Sequence, residues 1–96
     1  MQVLVTYDVA TSSEGGKRRL RRVAKVCLNF GQRVQNSVFE CKIDSTQLIL
    51  LRSQILEIVD LNNDSVRFYF LGKEWDGRVE HHGVKQSVNM DGPLIV

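Results

Sequence analysis

Between Glu14 and Glu40 the chain carries no acidic residue. Lys17, Arg18, Arg19, Arg21, Arg22, Lys25 and Arg33 all fall in that gap, seven of the thirteen lysines and arginines. A formal net charge of only +2 hides this asymmetry. An unbalanced cationic stretch points to a phosphate-bearing partner more strongly than the overall charge does. Cysteine is also scarce. Cys27 and Cys41 are too few and too far apart for a zinc site or a secreted disulfide framework, and both sit in apolar settings. Reduced core thiols are the expectation. No apolar run is long enough to span a membrane, and the N-terminus begins a strand at once without a signal-peptide pattern. A cytoplasmic location with no membrane contact is expected. Internal repeats, linkers and low-complexity segments are absent, so residues 1–96 read as a single domain. A domain of this size buries a modest core and is marginally stable alone; a large partner interface would help.

The strongest positive feature is the opening strand, about Gln2 to Val9. It lacks clean alternation and reads as central, buried on both faces. It ends in Tyr7-Asp8. A turn rich in hydroxyls and glycine follows, Thr11 to Gly16. The spacing then predicts a helix from about Gly16 to Phe30, with Leu20, Val23, Ala24 and Cys27 as its buried stripe. Thr11 and Glu14 have capping-box spacing, but Gly15-Gly16 favours a loop before a later helix start. Arg18, Arg21, Arg22 and Lys25 fall on the opposite side of the helix. Gly31 is a natural stop.

A second extended stretch is expected from about Arg33 to Ile43, with Gln35, Ser37, Phe39 and Cys41 on one face. Asp44 or Ser45 can cap a second helix reaching about Asp60, with Leu48, Leu51, Ile55, Ile58 and Val59 facing inward. Asn62-Asn63-Asp64 reads as a turn. Strands follow at Ser65 to Leu71 and Arg78 to His82, the latter after a Trp75-Asp76-Gly77 turn. The tail ends Gly92-Pro93-Leu94-Ile95-Val96. The expected order is β-α-β-β-α-β plus a tail, an α+β, ferredoxin-like split βαβ with an extra C-terminal strand. Two helices cover one sheet face. Phe39, Tyr69, Leu71 and parts of the first strand place apolar area on both faces, so a second copy is the economical cover. Residues 80–96 are expected at that homodimer interface.

An acid at the carboxyl end of a buried strand lies where open α/β sheets place ligand chemistry. A basic helix starting beside it can hold a polyanion, and an ion bridging Asp8 and a phosphate would remove their repulsion. From spacing alone, the favoured reading of Asp8 is a strand-end aspartate capping a turn. The cationic helix face reads either as solvated surface or as phosphate contact. Its lack of i, i+4 acids favours contact, because like charges at that spacing destabilise a helix. Tyr7 and Phe39 fit core packing. Ser37 has no adjacent base that would make it a nucleophile. His81 and His82 point to opposite strand faces and do not ligate one ion together. Trp75 fits turn packing.

Three segments carry a resemblance: Leu4-Val5-Thr6-Tyr7-Asp8, the basic helix through Arg22-Val23-Ala24-Lys25, and Gln32-Arg33-Val34-Gln35-Asn36-Ser37-Val38-Phe39-Glu40-Cys41. The chain resembles the small CRISPR-associated proteins of the Cas "two" family, which work in spacer acquisition. Its tail, Asp91-Gly92-Pro93-Leu94-Ile95-Val96, is similar to the subgroup accompanying type I-C systems. The resemblance implies a homodimer with endonuclease activity dependent on Mg²⁺ (or Mn²⁺). It also implies a complex with the CRISPR integrase and binding of double-stranded DNA, RNA remaining open. Asp8 matches the family's metal-binding aspartate and Tyr7 its neighbour. Arg33, Ser37 and Phe39 match the second-strand motif, with Tyr7 and Arg33 as subsidiary catalytic candidates. Arg18, Arg19, Arg21, Arg22 and Lys25 carry over as basic, nucleic-acid-binding residues. Magnesium takes one or two carboxylates, keeps waters and binds substrate phosphate. A two-fold axis would bring both copies of Asp8 toward one ion. Three functions compete: a metal-dependent phosphodiesterase, a scaffold that holds the duplex and bridges the integrase, and a toxin-like endoribonuclease of related fold. The absence of an aromatic platform on the basic face argues against single-strand binding.

Overall fold

The computed structural model describes residues 1–72 and 78–84. Its elements are β1 (Gln2–Asp8), α1 (Glu14–Phe30), β2 (Gly31–Gln35), β3 (Val38–Lys42), α2 (Ser45–Ile58), β4 (Ser65–Leu71) and β5 (Val79–Gly83). They form one antiparallel sheet in the order β2-β3-β1-β4-β5. This is the ferredoxin-like arrangement with an added edge strand. The stretch expected as one strand from Arg33 to Ile43 is a hairpin turning at Asn36-Ser37. The hairpin supplies the two middle strands that the βαββαβ order requires. A register shift between Arg33 and Gln35 marks a bulge beside the turn, which tight hairpins commonly use to match strand twist.

Side chains alternate along β1. Val3, Val5 and Tyr7 are buried, whereas Leu4 and Thr6 are only half-buried and Asp8 is exposed. The strand is central, as expected, but the described residues cover only one of its faces. Register puts Phe39 beside Val5 and Cys41 beside Val3 on that covered face. Phe39 therefore adds nothing to the second face, contrary to the sequence expectation. Leu4 and Tyr69 pair on the open face and Leu71, 39% exposed, follows them along β4. Val79, opposite Tyr69 on β5, is 46% exposed.

Both helices lie on the covered face and pack on each other. Phe39, Phe68, Leu51 and Ile55 are the largest fully buried side chains. Each contributes about 1.5–3 kcal/mol by leaving water. Helix α2 starts with a capping box, as Asp44 Oδ1 accepts from Gln47 N at 2.8 Å and Gln47 Oε1 accepts from Asp44 N at 3.0 Å. Cys27 and Cys41 are buried free thiols. Burial pushes them up to about 12 and about 11 respectively, which leaves them protonated and inert at neutral pH.

Helix α1 begins at Glu14, two residues earlier than expected. Ser13, not Thr11, is the cap, its hydroxyl accepting from Gly16 N at 3.1 Å. Gly15-Gly16 lies within the first turn and not in a loop. Gly16 is required there by close packing, since a Cβ would stand 1.8 Å from the Ala10 carbonyl oxygen. At the other end the helix passes straight into β2 at Gly31, whose backbone is extended and not left-handed. The expected features at Trp75-Asp76-Gly77 and in the tail after Val84 lie outside the described residues.

Candidate nucleic-acid interface and metal-binding acid

Asp8 closes β1 on the open face of the sheet, paired with Ser65 across the β4 ladder. Strand geometry sends Tyr7 the other way. The Tyr7 ring is buried, 6.1 Å from Phe39 and nearly parallel to it. Burial raises the Tyr7 phenol above its ordinary range, and the neighbouring Arg33 and Ser37 offset only part of that rise. Its hydroxyl makes no hydrogen bond among the described residues. The structure thus places Tyr7 in the core and not beside the carboxylate of Asp8.

Arg33 is also remote from the open face. Its guanidinium lies 5.1 Å from the centroid of the Phe39 ring, a cation–π contact at the hairpin. An open groove of about 480 Å³ runs beside it, lined by Phe30, Gln32, Arg33, Val34, Glu40 and Lys42 among others. That groove includes neither Asp8 nor Ser65.

Arg18, Arg21, Arg22 and Lys25 are exposed along α1, opposite buried Gly16, Val23 and Cys27. They form the continuous cationic face that the periodicity indicated. Arg19 departs from it. Its Nε donates to Asp64 Oδ2 at 2.8 Å and its Nη2 to Asp64 Oδ1 at 3.3 Å. Arg19 is thus engaged in an ion pair and is not one of the free phosphate contacts expected of it. The hydrogen bond to Asp64 raises its pKa further.

Asp64 is the residue that sequence reasoning missed. It read as part of an exposed turn, yet it is 0% exposed. Besides Arg19, it accepts from Ala10 N at 3.0 Å and from Asp60 N at 2.8 Å. Burial alone would raise its pKa; the Arg19 guanidinium and the two backbone donors outweigh burial and hold it below the usual carboxylate range. The exposed turn is made by Asp60 instead, which accepts from Asn62 N and Asn63 Nδ2 at 3.0 and 2.7 Å. Its own pKa is lowered, first by the Asn63 bond.

On β5, Glu80 and His82 face the helices and His81 faces the other way, as strand alternation requires. His82 packs edge-on against Phe68, and Glu80 accepts from Arg52 Nε of α2 at 2.8 Å. Among the described residues no group of three or more His, Cys, Asp and Glu is arranged to hold a metal. Asp8 offers one hard oxygen donor. That suits Mg²⁺, which keeps several waters and takes its remaining ligands from phosphate or a further carboxylate.

An antiparallel split-βαβ sheet with an acid on its open face and a cationic helix on its other side defines a class of small ferredoxin-like α+β domains. The comparisons narrow the class. The sequence model for the CRISPR associated protein Cas2 family matches residues 1–79, and the chain belongs to that family. It is 57% identical over 96 residues to the CRISPR-associated endoribonuclease Cas2 of Chlorobaculum tepidum, covering 100% of both chains. It is 56% identical over 95 residues to the CRISPR-associated endonuclease Cas2 of Halalkalibacterium halodurans, covering 99% of each. Among solved structures, Streptococcus pyogenes Cas2 at pH 6.5 superposes with a TM-score of 0.71 at 52% identity, covering 83% of this chain and 96% of that one.

Proposed function

We propose that this chain is a metal-dependent endonuclease acting on nucleic acid in CRISPR spacer acquisition, working as a homodimer. The observation that carries the reading is the position of Asp8, exposed at the end of the central strand on the face that the chain's own helices leave open. A second copy packed on that face would bring two such carboxylates together. The nuclease names of the two curated relatives support the same chemistry for this chain.

Asp8 would hold Mg²⁺ or Mn²⁺ with water and a substrate phosphate completing the shell. A bound ion there supplies Lewis-acid polarisation of the phosphoryl group and a more acidic water. The protein's own part is to fix the carboxylate and to anchor the polyanion. Arg18, Arg21, Arg22 and Lys25 neutralise phosphates without reading bases. Ser37, half-buried at the hairpin, has no base beside it and takes no part as a nucleophile.

The second reading is a scaffold that holds a DNA duplex and docks the integrase without cutting. One observation favours it. The cationic side of α1 and the open face bearing Asp8 lie on opposite sides of the domain. A duplex lying on the arginines would have to reach around the molecule to meet the acid of the same protomer. Cleavage of matched duplex DNA, single-stranded DNA and RNA, with and without Mg²⁺, separates the readings. Metal-dependent products from any of the three support the enzyme. Tight duplex binding with no product, together with co-purification of the integrase, supports the scaffold.

A further inference from the structure

Asp64 links the backbone behind Asp8 to the helix that carries the cations, and the proposed chemistry makes no use of it. Its carboxylate receives four hydrogen bonds: two from Arg19, one from Ala10 N and one from Asp60 N. Ala10 is two residues beyond Asp8. Arg19 lies one residue past Arg18 and two before Arg21. One buried carboxylate therefore grips the backbone just after the metal-binding candidate and the helix that carries the cations. Further contacts close the grip. Gly16 in the first turn of α1 stands so near Ala10 that no side chain fits between them. Val84 N donates to the Asp64 carbonyl at 2.9 Å, and Gly83 packs on the same carbonyl, so the end of β5 is tied in as well.

We infer that Asp64 is a positioning residue: by clasping Ala10 and Arg19 at once it fixes where the Asp8 carboxylate stands and how α1 is rotated. The physical reason lies in the loop. Residues 9–13 join β1 to α1 and contain no regular ladder. Val9 anchors one side by its burial, and the Ala10 amide is held by the Asp64 oxygen. An amide at a strand end that loses its acceptor can turn to water, and the preceding residue turns with it. Groups that orient a metal ligand typically change metal affinity 10–100-fold when removed, and Asp64 acts on Asp8 through the backbone at Ala10. Arg19 adds the second constraint. Its stem flanks the buried stripe of α1, four residues before Val23, so its two bonds to Asp64 resist rotation of the helix about its axis. The clasp thereby sets the outward direction of Arg18, Arg21, Arg22 and Lys25.

The assignment rests on the reading of Asp8 as a metal ligand, and the test separates the two. Full-length wild type, Asp64→Asn, Arg19→Gln and Asp8→Asn are compared at a temperature where circular dichroism shows each folded. Asn keeps the size of Asp64 but turns an NH₂ toward donors. Gln at 19 removes the guanidinium yet leaves Asp64 bonded to Ala10 and Asp60, so it reports on the helix half of the clasp through duplex affinity; Asp64→Ser carries the Asp8 test if Asp64→Asn does not fold. Three quantities are read: hydrogen exchange at the Ala10 amide and the carboxyl-carbon chemical shift of Asp8 without metal, Mn²⁺ affinity by paramagnetic broadening, and kcat against KM with Mg²⁺. Expected are a changed Asp8 signal, faster Ala10 exchange in Asp64→Asn, and roughly 10-fold losses in Mn²⁺ affinity and kcat with KM little altered. Loss of a residue that only stabilises the fold would lower the melting temperature and speed exchange across the sheet, but would leave the Asp8 signal and the Mn²⁺ affinity where they are. A folded Asp64 variant with the wild-type Asp8 signal and Mn²⁺ affinity overturns the assignment. Wild type that broadens no signal near Asp8, while Asp64→Asn still shifts the Asp8 carboxyl, overturns the metal reading and leaves the positioning role standing.

Discussion

Gly16 and Ala10 touch backbone to backbone. A Cβ on Gly16 would stand 1.8 Å from the Ala10 oxygen and 2.9 Å from its carbonyl carbon. Two adjacent glycines in one helical turn therefore have opposite sensitivities. Gly15 has only Arg19 Nη1 at 3.6 Å and Ser13 Oγ at 3.8 Å near such an atom. Gly15→Ala should be neutral or stabilising by up to about 1 kcal/mol, from helix propensity. Gly16→Ala should lose that gain and cost about 1–3 kcal/mol, because the obstacle is backbone. Urea unfolding of the two variants reads the difference. Equal midpoints would mean that the loop yields to the added methyl.

Asp8→Asn should abolish metal-dependent cleavage while the melting temperature and duplex affinity stay near wild type. Asn preserves size and removes the charge that holds the ion. The side chain is exposed, so little packing is lost. Undiminished cleavage by a preparation free of contaminating nuclease would remove Asp8 from the site.

Replacing Arg18, Arg21 and Arg22 together with Ala should weaken binding to unrelated duplexes about equally. All three lie on the exposed side of α1, away from Val23 and Cys27. Alanine favours the helix and relieves mutual repulsion, so circular dichroism should show no loss of structure. The slope of log affinity against log salt should fall by roughly 0.9 for each phosphate contact removed. A slope equal to wild type would mean that this face is only solvated. Adding Arg19 to the set should also lower stability, because Arg19 is paired with Asp64.

Arg19→Ala leaves a fully buried carboxylate without its cation. The cost should be about 3 kcal/mol, the low end for breaking a buried pair because the Arg19 side chain keeps 22% exposure. The pH dependence follows from Asp64. Its folded pKa lies below the usual range, so its unfolded pKa, about 3.9, is the higher of the two. Its stabilisation is complete above the unfolded value and disappears as pH falls through the folded one. Without Arg19 the folded value rises, and the acid-unfolding midpoint should move to higher pH. Acid titrations followed by far-ultraviolet circular dichroism compare the two proteins.

Sedimentation equilibrium at micromolar concentration should find a dimer. The half-buried Leu4 and Tyr69 and the more exposed Leu71 and Val79 share a sheet face that neither helix reaches. Leu71→Lys should shift the equilibrium toward monomer while leaving the helix-covered core intact. A stable monomer in the wild type would sink the idea.

The sequence disclosed most where periodicity was unambiguous. Ser65 to Leu71 reads as a strand with Val66, Phe68 and Phe70 on one face, and those residues are buried there. The α1 stripe was legible for the same reason. The hairpin at Asn36-Ser37 was not, because Val34, Val38, Phe39 and Cys41 keep a strand-like composition through the turn and no glycine marks it. The early start of α1 escaped notice because Gly15-Gly16 normally signals a loop; only the approach of Ala10 shows why glycine is there. The exposure of the outward cations was readable from helical phase, whereas Asp8 read from spacing as a strand-end aspartate and drew its metal role from the family resemblance. Arg19 had a signal, lying one residue before Leu20 and four before Val23, on the flank of the buried stripe. Asp64 had none. An acid after Asn62-Asn63 is ordinary turn chemistry, and its burial depends on three segments that meet only in the folded chain.

Central placement of β1 has a consequence for how the molecule breathes. Its amides and carbonyls are laced to β3 on one flank and β4 on the other, whereas among the described residues β2 and β5 are each held along a single edge. Edge strands can peel away in partial openings, but a middle strand is released only when the sheet comes apart. The carboxylate of Asp8 is thus mounted at the end of the segment that should exchange its backbone hydrogens most slowly. A partner that pulls on β2 or β5 can remodel the rim of the sheet while the acid keeps its place.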